Sequence, residues 1–423
     1  MIDLKSNKKV SIVYVTCTIL VAAFYLFPQM RILIRFDQFA YLTALYIICF
    51  VVRYVNFNLI LNLLKYAIPF CLLMFVAKGF DFKYGFLHNF MSIWNLVIPS
   101  IICISLFHRN RPRELFIITW SAIIMLLITC FITLTAIGET QNVMRELTAG
   151  TTDEDYAMGL REMGVGGYGI AYAMGAFTVG LFSLLQQMKK YDVWKYVVLI
   201  LFVFSFYFIT QAQFATLLII TSVGVATTYW LNANTIGRKL EILVTTLILI
   251  FVLPLIVDFL IDIYKDSPIG SHLSQIYETL WGKGNEASVA SSERSQYQIN
   301  AFLLFLENPI WGNNITQQPN AFIHLACHST LLAVACSTGI IGIWSYIKTF
   351  HNAFDNEIKL IIAQRLHKSY YSIVLYYLLF AILNPIDTVT EASWVIFVLI
   401  PSLFKLYIIP KSKQNDIDSK KTN

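Results

Sequence analysis

The sequence predicts an all-α protein, a polytopic integral membrane protein of about twelve membrane-spanning helices. Hydrophobic residues make up 57% of the 423 residues and charged residues only 13%, and the mean hydropathy is +0.64. These values lie outside the range of soluble globular domains. Apolar runs as long as a bilayer core is thick recur along the chain, and basic residues collect in alternate connections between them.

Each predicted span is an apolar run of roughly 20 residues, the length with which a helix crosses about 30 Å of hydrocarbon. The twelve ranges are 11–28, 39–56, 58–77, 90–108, 114–136, 167–187, 193–211, 214–231, 240–263, 328–348, 369–386 and 392–410. The first run has a basic start, and no small-residue cleavage site follows it before Pro28 and Arg31, which favours a retained helix over a signal peptide. Residues 1–410 are thus predicted to form one transmembrane domain, and residues 411–423 a cytoplasmic tail.

The distribution of Lys and Arg predicts the orientation of the chain. If the N-terminus is cytoplasmic, most of the 31 Lys and Arg residues fall in cytoplasmic connections, as the positive-inside rule expects. Both termini are then cytoplasmic, and the two long connections 137–166 and 264–327 are outer loops. The larger one lies between the ninth and tenth helices. Long connections are where functional residues concentrate.

Within the larger outer loop, the stretch ERSQYQINAFLLFLENPIWG (293–312) has the periodicity of a short helix. Because it is too short to span a bilayer, it is predicted to be an amphipathic helix at the outer interface. Arg294 stands at its start, and Pro309 and Gly312 stop it.

The motifs of common soluble enzymes are missing from the sequence, which contains no P-loop and no GxSxG nucleophile elbow. The glycine-rich GVGGYG (164–169) follows an outer loop rather than a strand, so it is interpreted as a flexible entry into the sixth span. The seven cysteines show no spacing typical of a metal site or a disulfide framework. No cofactor and no nucleic-acid partner is expected.

Charged residues separate the predicted spans from the outer segments. The spans are nearly free of Asp and Glu, which disfavours an ion-coupled transporter, since such proteins usually keep an acidic residue deep in a span. Arg145, Arg161 and Arg294 fall on the predicted outer side, where the guanidinium group can bind phosphate oxygens at the membrane boundary. Alternatively, these arginines pair with carboxylates of the same loops.

His324, His328 and Ser329 precede the tenth predicted span. His328 is either a structural residue near a helix end or a base, because histidine titrates near neutral pH. Ser329 suits an N-cap, whose hydroxyl accepts from an early backbone N–H. Two histidines four residues apart can bind zinc, but no third ligand stands nearby, so no metal is expected.

The stretch from Arg294 to Gly342 contains, in order, an arginine, a short helix, a P-x-x-G turn, an H-S-x-x-L start of a span and a G-x-x-G within it. The positions are Arg294, Pro309, Gly312, His328, Ser329, Leu332, Gly339 and Gly342. This order and spacing resemble the C-terminal half of the O-antigen polymerase and O-antigen ligase family. The family often carries a Ser-Arg pair where this chain has Gln211 and Gln213.

The resemblance implies a metal-independent glycosyltransferase that uses a glycan on undecaprenyl diphosphate, at the outer face of the bacterial inner membrane. His328 is then the expected base for the acceptor hydroxyl, and Arg294 the main diphosphate contact, with Arg161 or Arg145 as a second. The expected supporting residues are His324, Ser329, Gly312 and Gly339.

Three functions remain open at this point. A polymerase, which we favour, adds the growing chain to another lipid-linked repeat unit, and the loop arginines could bind the second diphosphate. A ligase instead delivers the chain to lipid A core. A polysaccharide flippase of similar span number should have short outer loops and charges along a central cavity. For a polymerase, a chain-length regulator protein is a further expected partner.

Overall fold

The structure of the chain is a computed structural model. It describes residues 10–55, 57–140, 143–144, 147, 154–188, 192–212, 214–233, 235–263, 274, 277, 298–313, 329–361, 367–384 and 390–406. Of the described residues, 89% are helical and none is in a strand, so the predicted all-α class is confirmed.

Fifteen helices are defined within the described ranges. They are α1 (Ile12–Leu26), α2 (Pro28–Leu33), α3 (Phe36–Tyr46), α4 (Phe57–Ala77), α5 (His88–Arg109), α6 (Pro112–Glu139), α7 (Glu154–Met163), α8 (Tyr168–Gln187), α9 (Val193–Gln211), α10 (Ala215–Asn232), α11 (Ile236–Ile263), α12 (Gln298–Glu307), α13 (Thr330–Ile361), α14 (His367–Leu383) and α15 (Thr390–Trp394). Short π-helical segments follow α3 at Ile47–Val51, precede α5 at Phe82–Leu87 and follow α15 at Val395–Leu399.

A helix lies within each of the twelve predicted spans. Among the described residues, six helical segments are long and apolar enough to cross a membrane by length and composition. They are Phe57–Ala77, Gly85–Arg109, Pro112–Glu139, Asp155–Gln187, Val193–Gln211 and Thr330–Asp355. Membrane crossing by the helices in the other six predicted span ranges stays a prediction, as do the size and side of the 264–327 loop.

Local sequence explains where several helices begin and end. Pro28 and Pro112 occupy the first turns of α2 and α6, where a missing N–H costs nothing. The Asp192 carboxylate accepts from the Trp194 N–H and caps α9. Asn110 ends α5 in the left-handed conformation, with φ of 47°.

The helix α8 forms the centre of the bundle. The segment Asp155–Gln187, which contains α8, is 83% buried over its most apolar 18 residues, against 28% for Val193–Gln211. The Tyr376 hydroxyl of α14 donates to the Tyr172 carbonyl at 2.9 Å, and the Thr178 hydroxyl donates to Ser205 of α9 at 2.9 Å. These two buried hydroxyls thus find partners on neighbouring helices, as buried polar groups generally do.

Polar contacts define two ends of this bundle. At the first, which we call the Glu114 end, the Ser11 N–H before α1 donates to the Glu114 carboxylate at 2.8 Å. At the second, the Glu391 end, Arg31 after α1 pairs with Glu391 of α15 at 2.9 Å. The helices α1 and α6 begin at the Glu114 end and α5 ends there, whereas α8 begins at the Glu391 end.

The start of α13 belongs to the Glu391 end. The helix α14 begins beside the ends of α8 and α10, where the Asn232 amide donates to the Ser369 hydroxyl at 3.1 Å. It therefore ends at the opposite side, where the Asn384 carbonyl accepts from the Thr330 N–H at 3.3 Å. Segments predicted to share the outer face thus share one end of the bundle. That this end faces outward stays a prediction.

Candidate functional site

The helix α13 is broken at Gly339. This residue has φ of 64° and ψ of −163° inside an otherwise helical stretch, so the tenth predicted span is two helical segments and not the single helix that its hydropathy predicts. The break lies nine residues after Thr330, or about 14 Å along the axis. Such backbone is tolerated at membrane depth only where protein or water satisfies its polar groups.

The turn after α12 supplies those partners. The Asn313 N–H donates to the Cys336 carbonyl at 2.7 Å, and the Ile340 N–H donates to the Pro309 carbonyl at 2.8 Å. Each bond satisfies a group that the break has removed from the helical pattern. The Pro309–Gly312 turn and the broken helix therefore form one hydrogen-bonded unit, which we call the glycine crossing.

Glycine is required on both sides of the glycine crossing. A Cβ on Gly339 would lie 2.3 Å from the Ile310 carbonyl oxygen, and one on Gly312 would lie 2.4 Å from the Thr338 backbone nitrogen. Both neighbours are backbone atoms and cannot rotate away. Gly312 also has φ of 74°, a conformation that L side chains rarely adopt. The two glycine motifs singled out in the sequence thus meet in space.

The helix α12 packs along the first part of α13. The Cys336 thiol donates to the Ala301 carbonyl at 2.7 Å, and Ala301 is fully buried. The Asn313 side chain donates to the Leu304 carbonyl and so caps the end of α12. The predicted short helix therefore exists, over Gln298–Glu307. Its docking part-way along α13 was not apparent from the periodicity.

Ser329 stands directly before α13 and is buried. Its hydroxyl accepts from the Leu332 N–H at 3.2 Å, the bond of an N-cap. We expect Ser329→Ala to destabilise the protein by about 1 kcal/mol, the usual loss of a capping bond, and to leave activity within about twofold. Thermal unfolding in detergent and complementation of a gene deletion measure the two. Loss of activity at a normal protein level would instead give the hydroxyl a role in the chemistry.

The Glu391 end also contains an ion pair whose carboxylate is buried. Glu391 is buried, and one of its oxygens accepts from Arg31 Nη1 at 2.9 Å. The other, Oε2, has no hydrogen-bond partner among the described residues. The carboxylate lies against Gly169, where an added Cβ would be 2.1 Å from Oε2. The GVGGYG stretch therefore lets helix α8 approach a buried charge closely, in addition to forming an entry into the span.

Arg161, a predicted diphosphate contact, lies on α7 at this same end. Its side chain is exposed, and Nη2 donates to the Leu147 carbonyl at 3.5 Å. The helix α7 packs against α2, which carries Arg31. Arg161 and Arg31 thus belong to neighbouring helices.

The structure describes four of the eight predicted site residues. Gly312 and Gly339 meet at the glycine crossing, Ser329 caps α13 and Arg161 is exposed on α7. The other four lie outside the described residues, namely Arg145, Arg294, His324 and His328. Their roles stay predictions. Within the described ranges, no group of three or more His, Cys, Asp or Glu residues could hold a metal ion.

Sequence reasoning missed Arg31 and Glu391. Arg31 enters it only as a residue that follows the first predicted span, and Glu391 stands one residue before the last predicted span. The available signal is an acidic residue at the mouth of an apolar run, which is costly to bury without a partner. That signal does not name the partner, which comes from the other end of the chain.

Comparisons with known proteins do not identify this chain. No protein-family model matches its sequence, and no curated protein matches it.

Proposed function

We propose that the protein is a glycosyltransferase that polymerises undecaprenyl-diphosphate-linked oligosaccharide units into a surface polysaccharide, on the outer face of the bacterial cytoplasmic membrane. The observation that carries the proposal is the glycine crossing. The sequence resemblance rests on two glycine motifs that are separated along the chain, and Gly312 of one contacts Gly339 of the other. A chance match of two unrelated stretches would give no reason for this contact.

The proposed chemistry is a direct displacement at the anomeric carbon of the donor glycan. The acceptor hydroxyl gives its proton to His328 as its oxygen bonds to that carbon. The bond to the lipid diphosphate breaks, and the diphosphate leaves with the electron pair. Arg294, with Arg161 or Arg145, offsets the charge that develops on the leaving group, and histidine suits the proton transfer near neutral pH.

Replacing His328 by alanine tests the proposal. General-base catalysis contributes about 10²- to 10⁴-fold, so we expect a strain that carries only His328→Ala to lose long-chain polysaccharide on a gel while the protein stays in the membrane. His351→Ala, which changes an exposed histidine of α13, is the matched control and should restore long chains. Unchanged chain length with His328→Ala would contradict the assignment of the base.

The same gel separates a polymerase from the other two functions when the gene is deleted. A polymerase leaves a single repeat unit attached to the acceptor. A ligase leaves no attached chains, and a flippase leaves lipid-linked units on the cytoplasmic side. The first outcome supports our proposal, and the other two contradict it. A chain-length regulator protein is proposed as a partner of the polymerase.

A further inference from the structure

Among the described residues, each end of the bundle has a glutamate paired with arginine, and the Arg109–Glu114 and Arg31–Glu391 pairs are built differently. At the Glu114 end, Arg109 donates to both carboxylate oxygens of Glu114, from Nε at 2.9 Å and from Nη2 at 3.2 Å. The Arg109 guanidinium also lies over the rings of Tyr14 and Tyr54, at 3.8 and 4.6 Å. Only 5% of the Arg109 side chain is exposed. This pair is closed to any ligand.

The pair at the Glu391 end is open by the same measures. Arg31 makes a single bond to Glu391, from Nη1 at 2.9 Å, and 32% of its side chain is exposed. Nε and Nη2 donate to the last carbonyls of α1, those of Phe24 and Tyr25, at 3.3 and 2.9 Å. A guanidinium carries further N–H donors, and among the described residues no acceptor is recorded for them.

We propose that Arg31 binds phosphate oxygens of a lipid headgroup and that Glu391 is the residue that positions it. The inference rests on the proposed function, because it identifies Arg31 as a further contact for the diphosphate of the substrate. Three fixed acceptors hold the guanidinium in one orientation, so its remaining N–H groups, one on Nη1 and one on Nη2, are fixed in place before any ligand arrives. Preorganisation of this kind reduces the entropy lost on binding.

Phosphate is the ligand that best suits this arrangement. A guanidinium binds two phosphate oxygens side by side, and a neutral carbonyl would use only part of that geometry. Arg161 stands on the helix packed against α2, so a diphosphate has a second guanidinium nearby. The helix α7 also carries Asp155 and Glu162. Recognition therefore depends on the geometry of the fork and not on a high local charge.

Replacing Arg31 by lysine tests the proposal, because lysine keeps the charge and loses the fork. The chain offers a matched control in Arg111, whose Nη1 lies 2.9 Å from Glu114 and whose side chain is 29% exposed. Purified full-length protein in detergent is titrated with undecaprenyl diphosphate, and binding is followed as the rise in Tm. We expect Arg31→Lys to weaken the apparent Kd about tenfold and Arg111→Lys to leave it unchanged.

Each outcome of this titration decides the question. Equal affinities of wild type and Arg31→Lys would overturn the inference while the proposed function stands. Equal weakening by both lysine variants would also overturn it. The loss of affinity would then accompany replacement of an arginine at either position and would not be specific to Arg31. Wild-type protein that fails to bind undecaprenyl diphosphate would contradict the proposed function and the inference together.

Two further ligands separate the sources of phosphate. Inorganic pyrophosphate and micelles that contain phosphatidylglycerol are titrated in the same way. A lipid-linked diphosphate is supported as the ligand if wild-type protein binds both of these ligands more weakly than it binds undecaprenyl diphosphate. The apparent Kd values of Arg31→Lys and Arg111→Lys for them should then differ little. If phosphatidylglycerol binds as tightly as undecaprenyl diphosphate and responds equally to Arg31→Lys, the site is for ordinary bilayer lipid, and its assignment to the substrate is overturned.

A second variant keeps the proposal testable if Arg31→Lys does not fold. Glu391→Gln preserves the volume of the side chain and an acceptor oxygen for Arg31, but the bond loses its charge assistance. A positioning role predicts an apparent Kd several-fold weaker, because the guanidinium is less firmly held. If Glu391 only repelled the phosphate, the same variant would bind more tightly, and that result would overturn the positioning role.

Discussion

Replacing Gly339 by alanine is expected to destabilise the protein by about 3 kcal/mol or more and to remove the polysaccharide synthesis that we propose for it. Its φ of 64° and ψ of −163° belong to a region that only glycine occupies readily, at a cost of roughly 1–3 kcal/mol for other residues. The new Cβ would also lie 2.3 Å from the Ile310 carbonyl oxygen. The turn must then leave the break, and its backbone hydrogen bonds are lost.

Thermal unfolding of the purified protein in detergent measures this effect. Gly237→Ala is the matched control, because a Cβ at Gly237 in α11 would meet nothing within 4 Å. It should unfold at the wild-type temperature or slightly above, since alanine favours a helix over glycine. If Gly339→Ala and Gly237→Ala unfold at the same temperature, the glycine crossing does not stabilise the protein.

The second large effect is expected for Glu114→Ala at the opposite end of the bundle. The Arg109 and Glu114 side chains are 5% and 2% exposed, so removal of the carboxylate leaves a buried cation without its partner. Breaking a buried pair in this way typically costs about 3–5 kcal/mol. The Ser11 N–H and the Arg111 guanidinium lose an acceptor as well. The unfolding temperature in detergent should fall sharply.

A double variant separates the lost pairing from the lost volume. Replacing Arg109 and Glu114 together by leucine removes both charges, and apolar replacement of a whole buried pair is often close to neutral. We therefore expect the double variant to be more stable than Glu114→Ala. A double variant that is as unstable as Glu114→Ala would mean that packing, and not the unpaired charge, accounts for the loss.

The helical class and the positions of the helices follow from local sequence. Apolar runs of bilayer length predict helices wherever they occur, and a helix lies in each predicted range. The N-cap at Ser329 is also a local feature, because its bond reaches only to Leu332. These features depend on residues that are close together in the chain. Sequence reasoning can therefore assess them without knowing the fold.

The candidate site depended on information that the sequence pattern lacks. Hydropathy predicts one continuous helix over 328–348, because Gly339 lies within an apolar run and glycine there is compatible with close helix packing. The break becomes stable only when the 309–313 turn supplies hydrogen bonds to it. A period of 3.6 residues carries no information about a partner segment.

The sequence by itself determined that this protein is built of apolar helices, and it singled out the two glycine motifs. Only the tertiary structure decided that Gly312 and Gly339 contact each other and that Arg31 pairs with Glu391 from the other end of the chain. The reason is physical. Helix formation depends on neighbours within a few residues, whereas backbone contacts and ion pairs between distant segments depend on how the packed helices are arranged.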